Sequence, residues 1–101
     1  GYTQAKGIGI DEQTALCIDA TGQGKVYGLN HVYFLKNTAL GAEICLSKNP
    51  LTWNRAGQAV SAYRIAGSAV GNGTANLTNW TFSGGTAAYY AVNAGVVTGG
   101  F

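Results

Sequence analysis

Gly7-Ile8-Gly9-Ile10-Asp11-Glu12-Gln13-Thr14-Ala15-Leu16 is the stretch on which the reading of this chain turns. Two glycines lead into two adjacent carboxylates, and an apolar run follows at once. Before it, residues 1–12 carry no clear hydrophobic period. After it, Gln13 to Asp19 reads as a strand whose centre is almost wholly apolar, the pattern expected of burial on both faces. Ala20-Thr21-Gly22-Gln23-Gly24 is a turn, since its glycines supply the positive φ a tight reversal needs. Lys25 to Lys36 is a second, longer β segment, with Gly28 marking a bulge or bend inside it. The two segments together predict a hairpin.

Working outward, Asn37 to Gly41 turns the chain and Ala42 to Leu46 is a third short strand. Ser47-Lys48-Asn49-Pro50 is a loop, followed by Trp53 as an aromatic anchor. Gln58 to Ala66 alternates and predicts a fourth strand, while Gly67 to Thr74 is glycine-rich and loop-like. Asn76 to Phe82 fits a helical turn or a strand equally. Thr86 to Val92 is a fifth strand candidate, with a turn at Asn93-Ala94-Gly95 before Val96-Val97. No amphipathic helix of three turns can be drawn, and no internal repeat is visible. The fold class is therefore mostly β, a small sheet or sandwich-like domain covering residues 1–101.

At 101 residues the chain is one domain or one piece of a domain. A chain this long buries roughly 60–70% of its unfolded surface, enough for a modest core. Charged residues make up 10%, well below the usual quarter, and Gly, Thr, Asn and Ala stand in their place. A surface kept in water by amides and hydroxyls is common in secreted proteins and in chains packed against other chains. The six bases (Lys6, Lys25, Lys36, Lys48, Arg55, Arg64) never cluster, which argues against nucleic acid. No apolar run approaches the ~20 residues of a membrane span. The opening Gly1-Tyr2-Thr3, with no initiator Met or signal peptide, reads as a processed product or fragment.

Two cysteines, Cys17 and Cys45, sit inside apolar strand-like runs. They are either two buried free thiols or a disulfide across neighbouring strands, which would contribute roughly 3–4 kcal/mol in the chain-entropy model. Two Cys and one His do not have the spacing of a zinc finger, and nothing calls for a cofactor.

The single histidine, His31, lies in a strand pattern, where a surface or edge position is the ordinary case. Of Ser47, Ser61, Ser68 and Ser83, none lies in a Gly-x-Ser-x-Gly elbow. A self-contained Ser-His-acid triad is not what the chain encodes. Asp11 and Glu12 are the paired carboxylates, and adjacent strand residues point to opposite faces, so they do not form a proton-sharing dyad. One can face a site while the other faces solvent or caps the turn. From composition alone, a plain charged turn before a buried strand is the ordinary reading of the pair. The Asn-x-Thr sequons at Asn72, Asn76 and Asn79 suit glycans in a secreted eukaryotic protein, and in so Asn- and Thr-rich a chain they also arise by chance. Tyr27, Tyr33, Trp53, Tyr63, Trp80, Tyr89 and Tyr90 suit either core packing or a carbohydrate or peptide platform.

The opening stretch, followed by Lys25-Val26-Tyr27-Gly28-Leu29-Asn30-His31-Val32-Tyr33-Phe34-Leu35, resembles the late part of the cyanophycinase-like serine peptidases, a family that includes aspartyl dipeptidase. That family typically has glycine, Ile or Leu, then Gly-Ile-Asp-Glu-x-Thr-Ala-Leu, and afterwards Val-x-Gly-x-Gly-x-Val-Tyr. Asn30 departs from it, standing where the second glycine is usual. Pro50 to Trp53, Ala62 to Gly67 and Asn76 to Trp80 resemble the tail of exported members. The likeness runs over residues 6–97, with 1–46 as the family-like strand region and 47–101 as a β-rich tail. It implies that the chain is the C-terminal part of a larger α/β fold, and it places the triad glutamate at Glu12. The family's nucleophile and catalytic histidine lie upstream, so neither is in this chain, and His31 matches no catalytic position.

Two functions follow from these readings. In the first, the chain is the C-terminal portion of a secreted hydrolase acting on aspartyl-type peptides, working with the N-terminal portion of its parent and inactive alone. In the second, it is a non-enzymatic extracellular structural protein whose identical subunits join through β-strand edges into a filament or sheath. A small carbohydrate-binding module ranks third.

Overall fold

The computed structural model describes residues 6–37, 59–94 and 96–101, the side chains of 92 and 93 excepted. Every regular element among them is a strand: β1 Lys6–Ile10, β2 Thr14–Ile18, β3 Gln23–Gly28, β4 His31–Asn37, β5 Val60–Ala66, β6 Asn72–Asn76, β7 Thr81–Ser83, β8 Thr86–Asn93 and β9 Val96–Gly99. They form two antiparallel sheets, one in the order β1-β4-β5-β8-β9 and one in the order β2-β3-β6-β7. The mostly-β expectation holds. The expected strand at 42–46, the proline loop and Trp53 lie outside the described residues.

Residues Ile8–Phe34 and Tyr63–Thr86 make one compact unit. In it β2 pairs with β3 from Thr14↔Gly28 to Ile18↔Gly24, the expected hairpin. Asp19 closes its loop: one carboxylate oxygen accepts from the Thr21 amide at 2.8 Å, the Thr21 hydroxyl at 2.6 Å and the Gln23 amide at 3.1 Å. This is the side-chain capping that makes Asp a turn residue. Gly22 supplies the positive φ, 87°.

Side chains from both sheets share the unit's core. Val26 of β3, Val32 and Phe34 of β4, Ile65 of β5 and Ala75 of β6 are fully buried, with Leu16, Tyr63, Leu77, Trp80 and Phe82 packed around them. Phe34 lies 4.6 Å from Phe82 and 6.1 Å, edge-on, from Trp80, and Tyr63 stacks on Phe82 at 5.3 Å. Two sheets facing one apolar layer make this unit a small β-sandwich.

Three sequence expectations need correction. The long segment 25–36 is two strands in two different sheets, because Gly28 (φ 117°) ends β3 and the chain crosses over through Leu29 and Asn30. Any Cβ at Gly28 would collide with the Gln13 carbonyl oxygen, so glycine is required there. The run Gln13–Asp19 is not buried on both faces: β2 pairs with β3 alone among the described strands, and Ile18 is 49% exposed. The loop expected at 67–74 contains the start of β6, and the undecided 76–82 is a turn followed by β7. β1, which lacked a readable period, is also a strand.

The other unit draws its described residues from Leu35–Ala62 and Ala87–Phe101, with Gly1–Gly7. There β8 pairs with β9 from Tyr90↔Gly99 to Asn93↔Val96, and Ala94 takes a positive φ of 48° in the turn between them. Ala59, Ala62 and Ala91 are buried, Tyr90 meets Phe101 edge-on at 6.1 Å, and Val96 and Val97 are exposed.

Candidate functional site

The stretch Gly7–Leu16 folds as β1, a corner at residues 11–13, and β2. β1 lies antiparallel to β4: the Asp11 amide donates to the His31 carbonyl at 3.1 Å, and Gly9 faces Tyr33. At the end of this ladder the His31 amide donates to the Asp11 carboxylate at 3.2 Å. The two side chains then run close, with His31 Nδ1 4.0 Å from Asp11 Oδ2. The carboxylate beside the chain's histidine is therefore Asp11. Both side chains are more than a third exposed, so the pair sits in solvent screening and stands as a weak surface contact.

Glu12 follows at the tip of the corner, and its backbone is pinned from two sides. Its carbonyl accepts from the Thr14 hydroxyl at 3.1 Å and from the Asn30 side-chain amide at 2.9 Å. Thr14 Oγ1 in turn accepts the Asn30 backbone amide at 3.0 Å, and the Leu29 amide donates to the Gln13 carbonyl at 3.0 Å. Gln13 holds a left-handed φ of 56°, which aims the chain into β2. The crossover is fixed on its other flank by Gly28 N–H to the Ser68 carbonyl at 3.0 Å and Gly67 N–H to the Asn30 carbonyl at 2.8 Å. Residue 30 is thus the node of the corner. The Asn30 side chain supplies one of the two bonds to the Glu12 carbonyl.

The Glu12 side chain is exposed, and among the described residues no group donates to its carboxylate. Asp11 and Glu12 lie in the corner between β1 and β2 rather than in a strand, so strand alternation does not apply to the pair; Asp11 is tied to His31 of β4 and Glu12 is exposed. Of the serines, the Ser61 hydroxyl donates to the Lys36 carbonyl at 3.2 Å, Ser68 Oγ is buried without a hydrogen-bond partner among the described residues, and Ser83 lies on β7. Ser47 lies outside the described residues. No hydrogen bond joins a described serine to His31, so no triad is assembled among them.

Cys17 is an exposed free thiol on β2, so burial does not hold for it, and Cys45, its candidate disulfide partner, lies outside the described residues. No cluster of three or more His, Cys, Asp or Glu side chains able to hold a metal occurs among the described residues. No described helix is long and apolar enough to cross a membrane.

The sequon side chains are already engaged in the fold. Asn72 donates to the Ala66 carbonyl at 2.8 Å, Asn76 accepts from the Thr78 and Asn79 amides, and Asn79 accepts the Thr81 hydroxyl at 2.6 Å. What sequence reading missed was the pairing of Asp11 with His31 and the role of Asn30. Its available signal was the β1–β4 register, which needs β1 to be recognised as a strand. Comparison with protein-family models, with characterised proteins and with solved structures finds no match for this chain.

Proposed function

We propose that this chain is the acid-bearing portion of a secreted cyanophycinase-like serine hydrolase acting on aspartyl-type peptides, with Glu12 as the orienting carboxylate and no activity of its own. The observation that carries the reading is the way Glu12 is presented: its backbone is clamped by Thr14 and Asn30, while its carboxylate is exposed and unengaged among the described residues. A carboxylate carried on so firmly held a backbone can accept the Nδ1–H of an incoming imidazole, hold the reactive tautomer and stabilise the imidazolium that forms during acyl transfer. The histidine and the serine nucleophile come from the N-terminal portion of the parent. Asp11 is not the orienting acid, since it already accepts the His31 amide.

The experiment is to combine the chain with the N-terminal portion of its parent and measure hydrolysis of aspartyl dipeptides. Glu12→Gln is expected to lower kcat by up to about 10⁴-fold, the scale of loss when a triad acid is mis-set. Asp11→Asn is expected to leave kcat within a few-fold. Full activity in Glu12→Gln removes the assignment.

One observation favours the second reading, a self-associating extracellular subunit. β2, Thr14-Ala15-Leu16-Cys17-Ile18, is the outer described strand of its sheet, and it lacks the charge, proline or bulge that usually blunts such an edge. Strand addition by a second copy would join subunits there. Electron microscopy of the pure chain with and without Ile18→Lys tests it, and dispersed monomers at high concentration refute it.

A further inference from the structure

The outer face of the four-stranded sheet carries a concavity unrelated to the Glu12 corner. Along β3, Gly24 and Val26 are buried toward the core. The alternate residues Gln23, Lys25 and Tyr27 therefore line the opposite face at spacings of about 6–7 Å. A pocket of about 320 Å³ opens there, walled by these three with Asp19, Thr74, Cys17, Ile18 and the Gly24 backbone. That volume lies at the lower end of the ~300–1,000 Å³ typical of small-molecule sites.

Two features of the backbone build this pocket. First, β6 bulges against β3: Gly24 pairs with Ala75 and Val26 with Asn72, so both Gly73 and Thr74 lie opposite Lys25. Gly73 takes a φ of 66°, the left-handed residue such a bulge requires. A side chain on Gly73 would run into Ile65 Cγ2 at 2.6 Å, so this local shape is fixed by the core beneath it. Bulges re-aim a side chain beside a site, and here Thr74 lines the pocket. Second, the Tyr27 ring rests on Gly71, where an added Cβ would lie 2.8 Å from Cζ and 2.9 Å from the hydroxyl. The aromatic face is thereby held in place before any ligand arrives.

The lining chemistry selects the ligand. An aromatic ring, a primary amide, an ammonium, a hydroxyl, a carboxylate, the Cys17 thiol and the half-exposed Ile18 side chain surround a shallow space. Asp19 is already oriented by its bonds to Thr21 and Gln23, and among the described residues no carboxylate pairs with Lys25. A polyphosphate would meet one cation and one carboxylate, and a purely apolar ligand would strand four polar groups. A pyranose has the matching chemistry for this mixed lining, a C–H face for the tyrosine and isoleucine and hydroxyls that can bond to the amide, ammonium and carboxylate.

We infer that the face formed by Gln23, Lys25, Tyr27 and Thr74 is a saccharide-binding site, engaging an oligosaccharide that lies along β3. It is independent of the role proposed for Glu12.

The test is calorimetric titration of the whole chain with cellohexaose, hexa-N-acetylchitohexaose and hexagalacturonate, alongside NMR shift mapping. At least one sugar is expected to bind saturably, moving the Gln23, Lys25, Tyr27 and Thr74 resonances. Tyr27→Ala and Gln23→Ala are expected to weaken it by tenfold or more, while Glu12→Gln leaves it unchanged. A preference for hexagalacturonate is expected to vanish in Lys25→Ala. Thermal melts check folding, and if Tyr27→Ala does not fold, the exposed Gln23 and Lys25 variants decide. Absence of saturable binding to all three sugars overturns the assignment, as does binding unchanged by the folded variants.

Discussion

Replacing Thr14 by Val probes the corner most directly. The two side chains are close in shape and both suit a strand, so the change removes one hydroxyl and little else. That hydroxyl donates to the Glu12 carbonyl and accepts the partly buried Asn30 amide. The Glu12 carbonyl keeps its bond from the Asn30 side chain, so that loss is modest. The Asn30 amide loses its partner where water reaches it poorly, a cost of about 1–3 kcal/mol. The expected sum is about 2 kcal/mol. For a chain of this size that is a fall in Tm of about 8–16 °C, at 4–8 °C per kcal/mol.

The assay is urea unfolding followed by tryptophan fluorescence, with Thr14→Ser as the control. The serine keeps both bonds and gives up only a methyl group, about 0.8 kcal/mol. Asn30→Ala removes the other donor to Glu12, for about 0.5–1.5 kcal/mol. Because the two share one acceptor, the double variant is expected to be non-additive. Thr14→Val within about 0.5 kcal/mol of the native chain, or Thr14→Ser as damaging as Thr14→Val, would refute the account of the corner.

Phe34→Ala empties the centre of the aromatic cluster and is expected to cost about 3–5 kcal/mol in the same unfolding assay, a large part of a small domain's stability. Gly28→Ala places a methyl group against the Gln13 carbonyl at a φ of 117° and is expected to lower the yield of folded protein, read by near-UV circular dichroism. The Asp19 carboxyl is held below its ordinary value of 3.8, first by the Thr21 hydroxyl and then by the Gln23 and Thr21 amides. Since the folded value is the lower one, its contribution is present above pH 3.8 and fades as pH falls through the folded value. Carbon-13 titration of Asp19 should show the depressed midpoint, and Thr21→Val should raise it. Cys17, exposed on β2, is expected to react with a thiol reagent in native buffer without any unfolding step.

The sequence announced strands well where one chain segment decides its own fate. Thr14–Ile18, Val60–Ala66 and Thr86–Asn93 follow from β-branched and aromatic runs between glycine-bearing turns, and the hairpin at Asp19 follows from turn chemistry. It announced poorly what depends on partners far along the chain. β1, with glycine at alternate positions, has too few side chains to show a period, and its pairing with β4 is what makes it a strand. The apolar centre of β2 looks doubly buried because a sequence does not reveal that its sheet ends there. Gly28 was visible as a break, but a bend within a strand and a passage between sheets use the same residue. In the corner, Glu12 was legible as a carboxylate after glycines. The Asp11–His31 contact was not, because it spans twenty residues and exists only through register.

The crossover at Gly28–Asn30 has a consequence for how the molecule opens. Three successive amides there donate to Ser68, Gln13 and Thr14, partners 40, 16 and 16 positions away along the chain. The Ser68 bond cannot form until segments from both sides have come together, whereas the other two continue the β2–β3 hairpin and close with it. Leu29 is 77% exposed, yet its amide and those on either side are all hydrogen-bonded, so exchange at each requires its own bond to open. A surface corner thereby reports two events: exchange at Gly28 follows release of Ser68, and exchange at Leu29 and Asn30 follows opening of the hairpin's end.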